Sequence, residues 1–556
     1  MTIDQFKYFI QEKSCIYLSK IICFLFLIYL ASISLKIALA SMPLYPNIDE
    51  TLSSEISYYQ FAKDSNGVID FSYPGLTAYF GKFLLNFASF FGFAVGQTNL
   101  NLESLLNLGT PASNTQNVYS IIRIGFVFAN WVSLYFLYKT LRKFHSFYFS
   151  YTITAFLIGS QYYHKYFFYS GPDFLSFTVG VLLLAILLRL VHLPSNSDYH
   201  MRYVILASVL VGMAISAKYQ AVMTFGLLFS LLLVKYKLRK FHFFLITLVV
   251  VPLVFILCNP TILKPGNFTI FLSNMNTTVD RYSNPSPGID FDSDFTFFYY
   301  IRAFMDSSFS IVGLGFFFIA LLYFVFKKQW SLVLLLFFPF AILLPLSLYD
   351  VALARNISIA IPFYVFGSVL GLDWIVSKSH LIQKPRVLTP LVLSVVVIFI
   401  AGNAVKYDSY AKYTDSRVAA SDWVRYNIES TATIYMSNGS KVDHPIMPRD
   451  YRVLTLADTA TLRSGDYLIE SSFMYSPIYR LSDCFMCTRY FRYPAQIQEH
   501  KSRLEELILV KSFQSDNVGD GNEIVFESYG REIHKKIFIH GESLYSGPSI
   551  RIYRKK

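Results

Sequence analysis

The sequence predicts an all-α polytopic membrane domain of about eleven transmembrane helices, followed by a small α/β domain outside the membrane. Three observations carry this prediction. Of the 556 residues, 54% are hydrophobic, 18% aromatic and only 15% charged, whereas soluble domains carry roughly 25% charged residues. The apolar residues come in blocks of about 20, the length that spans a bilayer as helix. That pattern stops near residue 404, and residues 405–556 turn polar, with short β-branched runs. Together these exclude a single soluble enzyme and a disordered chain. The net charge of +12 is read as cytoplasmic loops, and no nucleic-acid partner is expected. The first apolar run is too long for a cleavable signal peptide and lacks a small-residue cleavage site.

Clear apolar spans fall at 16–39, 119–138, 148–168, 173–191, 241–260, 304–326, 329–348, 356–374 and 387–404. The stretch 202–234 is too long for one span across a ~30 Å core, with Lys218 in its middle. Two short helices broken near Ala217 and Lys218 fit better. The stretch 75–97 reads either as a span or as an aromatic-rich helix lying in the interface.

Basic loops decide parity, because cytoplasmic loops are enriched in Lys and Arg. Lys139, Arg142 and Lys143 form one such loop, and Lys235, Lys237, Arg239 and Lys240 a second. Lys327 with Lys328, then Lys378, Lys384 and Arg386, complete the set. All four share one side only if 202–234 crosses twice and 75–97 does not cross. The N-terminus is then cytoplasmic. The outer face carries a first loop at 40–118, a second at 261–303 and the domain at 405–556, after a membrane domain of 1–404.

In the C-terminal domain, residues 415–429 have helical spacing and a strand-like run begins at Thr431. Further strand-like runs occupy 451–456, 466–471, 506–513, 523–528 and 549–554. The domain contains no phosphate-cradling glycine loop, zinc-protease helix or nucleophile elbow. Cys484 and Cys487 have CxxC spacing, which without a second pair is weak evidence for a metal; on an oxidising face a local disulfide fits as well.

Polar residues at the predicted outer ends of spans are the functional candidates. Asp49 and Glu50 follow the first span and suit either a general base at the membrane surface or a helix start. Asp173 opens the fourth span, where Ser170 and Pro172 make a capping-box start the favoured explanation from this segment alone; His164 and Lys165 precede it. Lys218, between two short helices, is either a snorkelling anchor or the partner of an anionic lipid headgroup, since an ammonium suits phosphate. Arg355 opens the tenth span and faces the same choice, while Arg123 reads as structural. Tyr73 belongs to a Tyr-Pro-Gly turn into the 75–97 stretch.

The order of these features resembles the GT-C membrane glycosyltransferases, above all the protein O-mannosyltransferase-like group (glycosyltransferase family 39) and the lipid A aminoarabinose transferases. The features are the acidic pair Asp49 and Glu50, the segment FSYPGLTAYF at 71–80, Arg123 in SIIRIGFVF, Asp173 in GPDFLSF, Lys218 in GMAISAKYQ and Arg355 in ARNISIAIPFY. The helix-then-strand segment from Asp415 is also similar. Asn356 stands where an aromatic is commoner, and the oligosaccharyltransferase-type WWD signature is absent.

This resemblance implies a GT-C fold and an inverting transfer on the outer face, from a polyprenyl-phosphate-linked sugar donor to a hydroxyl acceptor on glycan, lipid or protein. It implies Asp49 as general base with Glu50 beside it, and Asp173 orienting the acceptor or the first loop. Lys218 and Arg355 would bind donor phosphate, and Tyr73, His164 and Lys165 would line the substrate. No cofactor is required; a divalent metal would be compatible with the chemistry but is not indicated. Membrane lipids are expected partners, and a bacterial inner membrane with a periplasmic C-terminal domain is the expected location. The competing class is a transporter or flippase for an amphipathic lipid or sugar, which would use the same outer cations; the odd span count and missing repeat speak against it.

Overall fold

The computed structural model describes residues 17, 20–35, 75–90, 112–160, 163, 171–194, 199–283, 293–307, 311–348, 354–378, 416–437, 451–456, 462–471, 506–513 and 550–556. The predicted eleventh span at 387–404, the run at 523–528 and both Cys484 and Cys487 lie outside them.

Ten of the eleven predicted spans have a described helix at their place. They are α1 (Lys20–Leu35), α3 (Ala112–Phe144), α4 (Phe147–Gly159), α5 (Pro172–His192) and α6 (His200–Ala217). Then come α7 (Met223–Tyr236), α8 (Phe241–Cys258), α11 (Ile311–Phe326), α12 (Trp330–Leu346) and α13 (Ile361–Lys378), the last entered through a 3-10 segment at Ala354–Ala360. Between them lie α2 (Leu76–Phe90), α9 (Asn267–Ser283) and α10 (Ser293–Asp306). By length and apolar composition, five helical stretches suffice to cross a membrane: Ile121–Phe144, Pro172–His192, His200–Ala217, Tyr219–Cys258 and Asn356–Val376. This is an integral membrane protein.

Three boundaries differ from the sequence expectation. The helix expected over 148–168 is interrupted after Gly159, because the backbone turns extended at Ser160, and Tyr163 beyond it is helical again. Residues 304–306 belong to α10 and not to the next span; the Ser307 hydroxyl donates to the Phe304 carbonyl (2.7 Å) and closes that helix. The segment 261–303, expected as the second outer loop, holds α9 and most of α10. Finally, the cap of α5 is Gly171 with Pro172 at the first helical position, so Ser170 is not the cap.

The break in 202–234 is observed where expected. α6 stops at Ala217, Lys218 is extended (φ −156°, ψ 126°), and a 3-10 turn at Tyr219–Val222 leads into α7. Packing of the spans relies on glycine. An added Cβ at Gly212 of α6 would lie 2.7 Å from the Val254 Cβ of α8. At Gly180 of α5 it would meet the Ile359 carbonyl oxygen at 2.8 Å, which seats α5 on the 3-10 segment. Backbones approach this closely in membranes because van der Waals contact, not water exclusion, holds helices together. α2 lies on α3, where the Leu84 side chain fills the space over Gly125 and the Phe80 ring meets Phe126 edge-on at 5.0 Å.

The C-terminal module consists of α14 (Ser416–Asn427) and five strands, β1 (Thr433–Ser437), β2 (Arg452–Leu456), β3 (Tyr467–Ser471), β4 (Leu507–Phe513) and β5 (Ile550–Lys555). Their order is β2-β1-β3-β5-β4; β1 runs parallel to β2 and β3, and β5 runs antiparallel to β3 and β4. Strand alternation puts Ile434, Ile469, Ile550 and Ile552 on one face, against Ala420 and Val424 of α14 and Ile428 just after it. The other face holds Tyr435, Leu468 and Tyr553.

Candidate functional site

Two of the predicted site residues meet. The Lys218 ammonium bonds the Asp173 carboxylate, and both side chains are about nine-tenths buried (10% and 11% exposed). Each reaches the pair for a local reason. Pro172 fixes the first turn of α5, which projects Asp173 from the helix end, where backbone N–H groups favour an anion. Lys218 stands at the helix break, and its extended backbone frees the side chain from both neighbouring helices. Placing an unpaired charge at membrane depth costs about 2.5–3.5 kcal/mol on insertion scales. The ion pair offsets that cost for both groups at once.

Aromatic side chains wall the same end of α5. The Phe174 ring lies 6.1 Å from Phe126 and 5.9 Å from Tyr163, and Tyr163 is also 5.9 Å from Phe177. Arg123, one helical turn before Phe126, is buried. On the other side of the break, Tyr219 packs between Phe255 of α8 (6.4 Å) and Phe271 of α9 (5.8 Å).

A second polar joint sits two residues before Lys218. The Asn259 side chain, at the end of α8, accepts a hydrogen bond from the Gly75 backbone N–H at 2.6 Å. Its amide group donates to the Ser216 hydroxyl (3.2 Å) and the Phe255 carbonyl (2.8 Å). Sequence reasoning missed Asn259 and Ser216. The available signal was the Asn-Pro step closing an apolar span, since a buried amide at a helix end must find partners.

The backbone of Arg355 lies in the 3-10 segment packed on α5, and its side chain is outside the described part. Asn356 beside it is buried, and its amide reaches the Tyr300 hydroxyl of α10 at 3.4 Å. Asn356 opens an Asn-Ile-Ser sequon, which this burial makes inaccessible in the folded chain. Asp49, Glu50, Tyr73, His164 and Lys165 lie outside the described residues. Among the described residues no three His, Cys, Asp or Glu side chains converge as a metal would need. The geometry thus provides a buried, charge-balanced ammonium at a helix break, with aromatic walls on both sides. Such a group can hold an anionic oxygen.

No protein-family model and no curated protein matches the sequence. Among solved structures, the archaeal oligosaccharyltransferase AglB from Archaeoglobus fulgidus, in complex with an inhibitory peptide and a dolichol-phosphate, is similar with a TM-score of 0.50 at 11% identity, covering 83% of this chain and 71% of that one. ArnT from Cupriavidus metallidurans bound to undecaprenyl phosphate aligns with a TM-score of 0.47 at 13% identity, covering 81% of this chain and 94% of that one. The likeness to AglB is one of fold: the fold is the GT-C fold that the ordered sequence features lead one to expect.

Proposed function

We propose that this chain is an inverting glycosyltransferase, moving a sugar from a polyprenyl-phosphate donor to a hydroxyl acceptor on the outer face of the membrane. The observation that carries this is the buried Asp173–Lys218 pair at the break between two short helices of a GT-C fold. A lipid-borne donor needs its phosphate recognised at membrane depth, and a helix break is where backbone and charge are available there.

In this reading Lys218 binds the donor phosphate, with Arg355 as the second cation. Asp173 keeps the ammonium charged and in place before the donor arrives. The acceptor hydroxyl attacks the anomeric carbon in line. The new C–O bond forms as the bond from carbon to phosphate oxygen breaks, and the electron pair leaves with the lipid phosphate. Cations beside that phosphate stabilise the transition state more than the ground state, because negative charge grows there. The hydroxyl proton passes to a carboxylate, the role proposed for Asp49 with Glu50 as its neighbour. Tyr73, His164 and Lys165 are proposed to line the acceptor side. The acceptor class is glycan, lipid or protein, and the proposed setting is a bacterial inner membrane with the C-terminal domain in the periplasm.

The test is donor turnover by purified protein in lipid, with a panel of polyprenyl-phosphate sugars and total cell-envelope acceptors. One donor should be consumed, and Asp49→Asn should abolish its consumption. Equal turnover by wild type and Asp49→Asn removes Asp49 as the base. If no donor in the panel reacts, flux of lipid in sealed vesicles tests the transporter alternative.

A further inference from the structure

We infer that Asn259 is a positioning residue: its side chain latches the start of the first-loop helix α2 onto the helix break that carries Lys218. The inference rests on the proposed transferase reading for its catalytic consequence, but not for the latch itself.

Three elements otherwise far apart in sequence converge on this one amide. Gly75 precedes α2, Ser216 lies in the last turn of α6, and Asn259 caps α8. The Asn259 carbonyl oxygen accepts from the Gly75 N–H at 2.6 Å, and its amino group donates to the Ser216 hydroxyl at 3.2 Å and the Phe255 carbonyl at 2.8 Å. All of its hydrogen-bonding capacity except one lone pair is thereby used. Asn259 is 3% exposed and Ser216 is fully buried, so water does not compete for these bonds. The contact is also close in the steric sense. An added Cβ at Gly75 would lie 2.7 Å from the Cys258 carbonyl oxygen and 3.1 Å from the Asn259 Oδ1. Only glycine brings the chain this near the end of α8.

The consequence concerns the first outer loop. That loop holds Asp49, the proposed base, and runs into α2 through Tyr73 and Gly75. Further along α2, apolar contact adds to this, through Phe80 on Phe126 and Leu84 over Gly125. The polar latch therefore fixes the register of α2 relative to Ser216, and so relative to Lys218 two residues on. The Gly75 end of α2 and the break that carries Lys218 are tied across one side chain.

Two measurements on the full-length protein in lipid test this. Backbone amide exchange over 76–90 should quicken at least tenfold in Asn259→Ala, while exchange over α7 stays at the wild-type rate. Asn259→Asp, which keeps the acceptor for Gly75 but sets a carboxylate oxygen against the Phe255 carbonyl, should restore little of the protection. Gly75→Ala should raise exchange over the same helix, and adding it to Asn259→Ala should change little further, because both act on one joint. With a donor that the wild type consumes, Asn259→Ala should lower kcat at least tenfold and leave KM for the donor within twofold, since Lys218 and Asp173 are untouched. Unchanged exchange over 76–90, or exchange rising equally in all spans, overturns the latch. Faster exchange with unchanged kcat overturns its role in positioning. If the wild type consumes no donor, the transferase reading fails on its own, and the exchange still decides the latch.

Discussion

At the residue scale, the pair of Asp173 and Lys218 is the most consequential contact, and its two members do not respond alike to substitution. Lys218→Ala takes the ammonium away from a buried carboxylate, and breaking a buried pair on one side costs about 3–5 kcal/mol. Lys218→Met combined with Asp173→Leu removes both charges and should recover most of that loss. Thermal unfolding in detergent of the two variants beside wild type checks the order. A second residue gives a pH-dependent expectation in the C-terminal module. Burial pushes the Glu470 carboxyl up to about 7 from 4.5, with Arg551 on the neighbouring strand pulling the other way. The folded form therefore binds its proton more tightly than the unfolded form. Stability is full below about pH 4.5 and declines by about 3 kcal/mol as pH rises through about 7. Glu470→Gln should flatten that slope and melt higher than wild type at pH 8. Both members of the Asp173–Lys218 pair were legible as candidates in the sequence, because charges beside apolar runs are conspicuous. That they meet was not legible, since 45 residues separate them and nothing in the spacing says which faces converge. Asn259 was invisible for a related reason: an uncharged amide at a span end looks like a boundary marker until its partners are known.

Periodicity and punctuation governed what could be read of the elements. The break at Lys218 followed from length alone, because a single helix over 202–234 overshoots the bilayer core. The described strands of the C-terminal module fell within or beside the expected runs, since alternation with β-branched residues is a strong local signal. The helices α9 and α10 were not foreseen. Their sequences mix Asn, Thr, Ser and Asp among aromatics, so composition suggested loop, while the amphipathic pattern that supports them needs a packed partner to become decisive. Helix packing gives a further prediction. An added Cβ at Gly371 of α13 would sit 1.8 Å from the Phe316 carbonyl oxygen of α11, whereas Gly315 has open space around it. Gly371→Ala should destabilise by at least the ~1–3 kcal/mol of ordinary overpacking. Gly315→Ala should be neutral or stabilising, by up to about 1 kcal/mol of helix propensity. Unfolding of both variants in the same detergent compares them directly; equal melting temperatures would sink the packing claim.

For the whole molecule, the span count and the basic loops make a testable map. Reporter fusions after Arg239 and after Lys328 should report the cytoplasm, and a fusion after Ser437 should report the outer side. A reporter at 239 that reads outside would reverse the assignment of Lys218 to the outer face. The fold class was legible because the bilayer imposes one length on every span and one sign on every inner loop. The arrangement of the spans was not, because apolar helices carry little information about which neighbour they choose.

Two lysines of the 202–240 region, Lys218 and Lys235, bind the same neighbour at its two ends. Lys218 holds the first turn of α5 through Asp173, and Lys235 donates to the Val191 and Leu193 carbonyls at its last turn (2.8 and 2.9 Å). α5 and the chain from the break through α7 thus resemble the uprights of a ladder with a rung at each end, about 27 Å of helix apart. The lower rung closes on backbone oxygens, which no ligand at the upper end can displace. An anion that draws Lys218 away from Asp173 opens only the upper rung. The lower rung would still tie the Lys235 end of α7 to the inner end of α5.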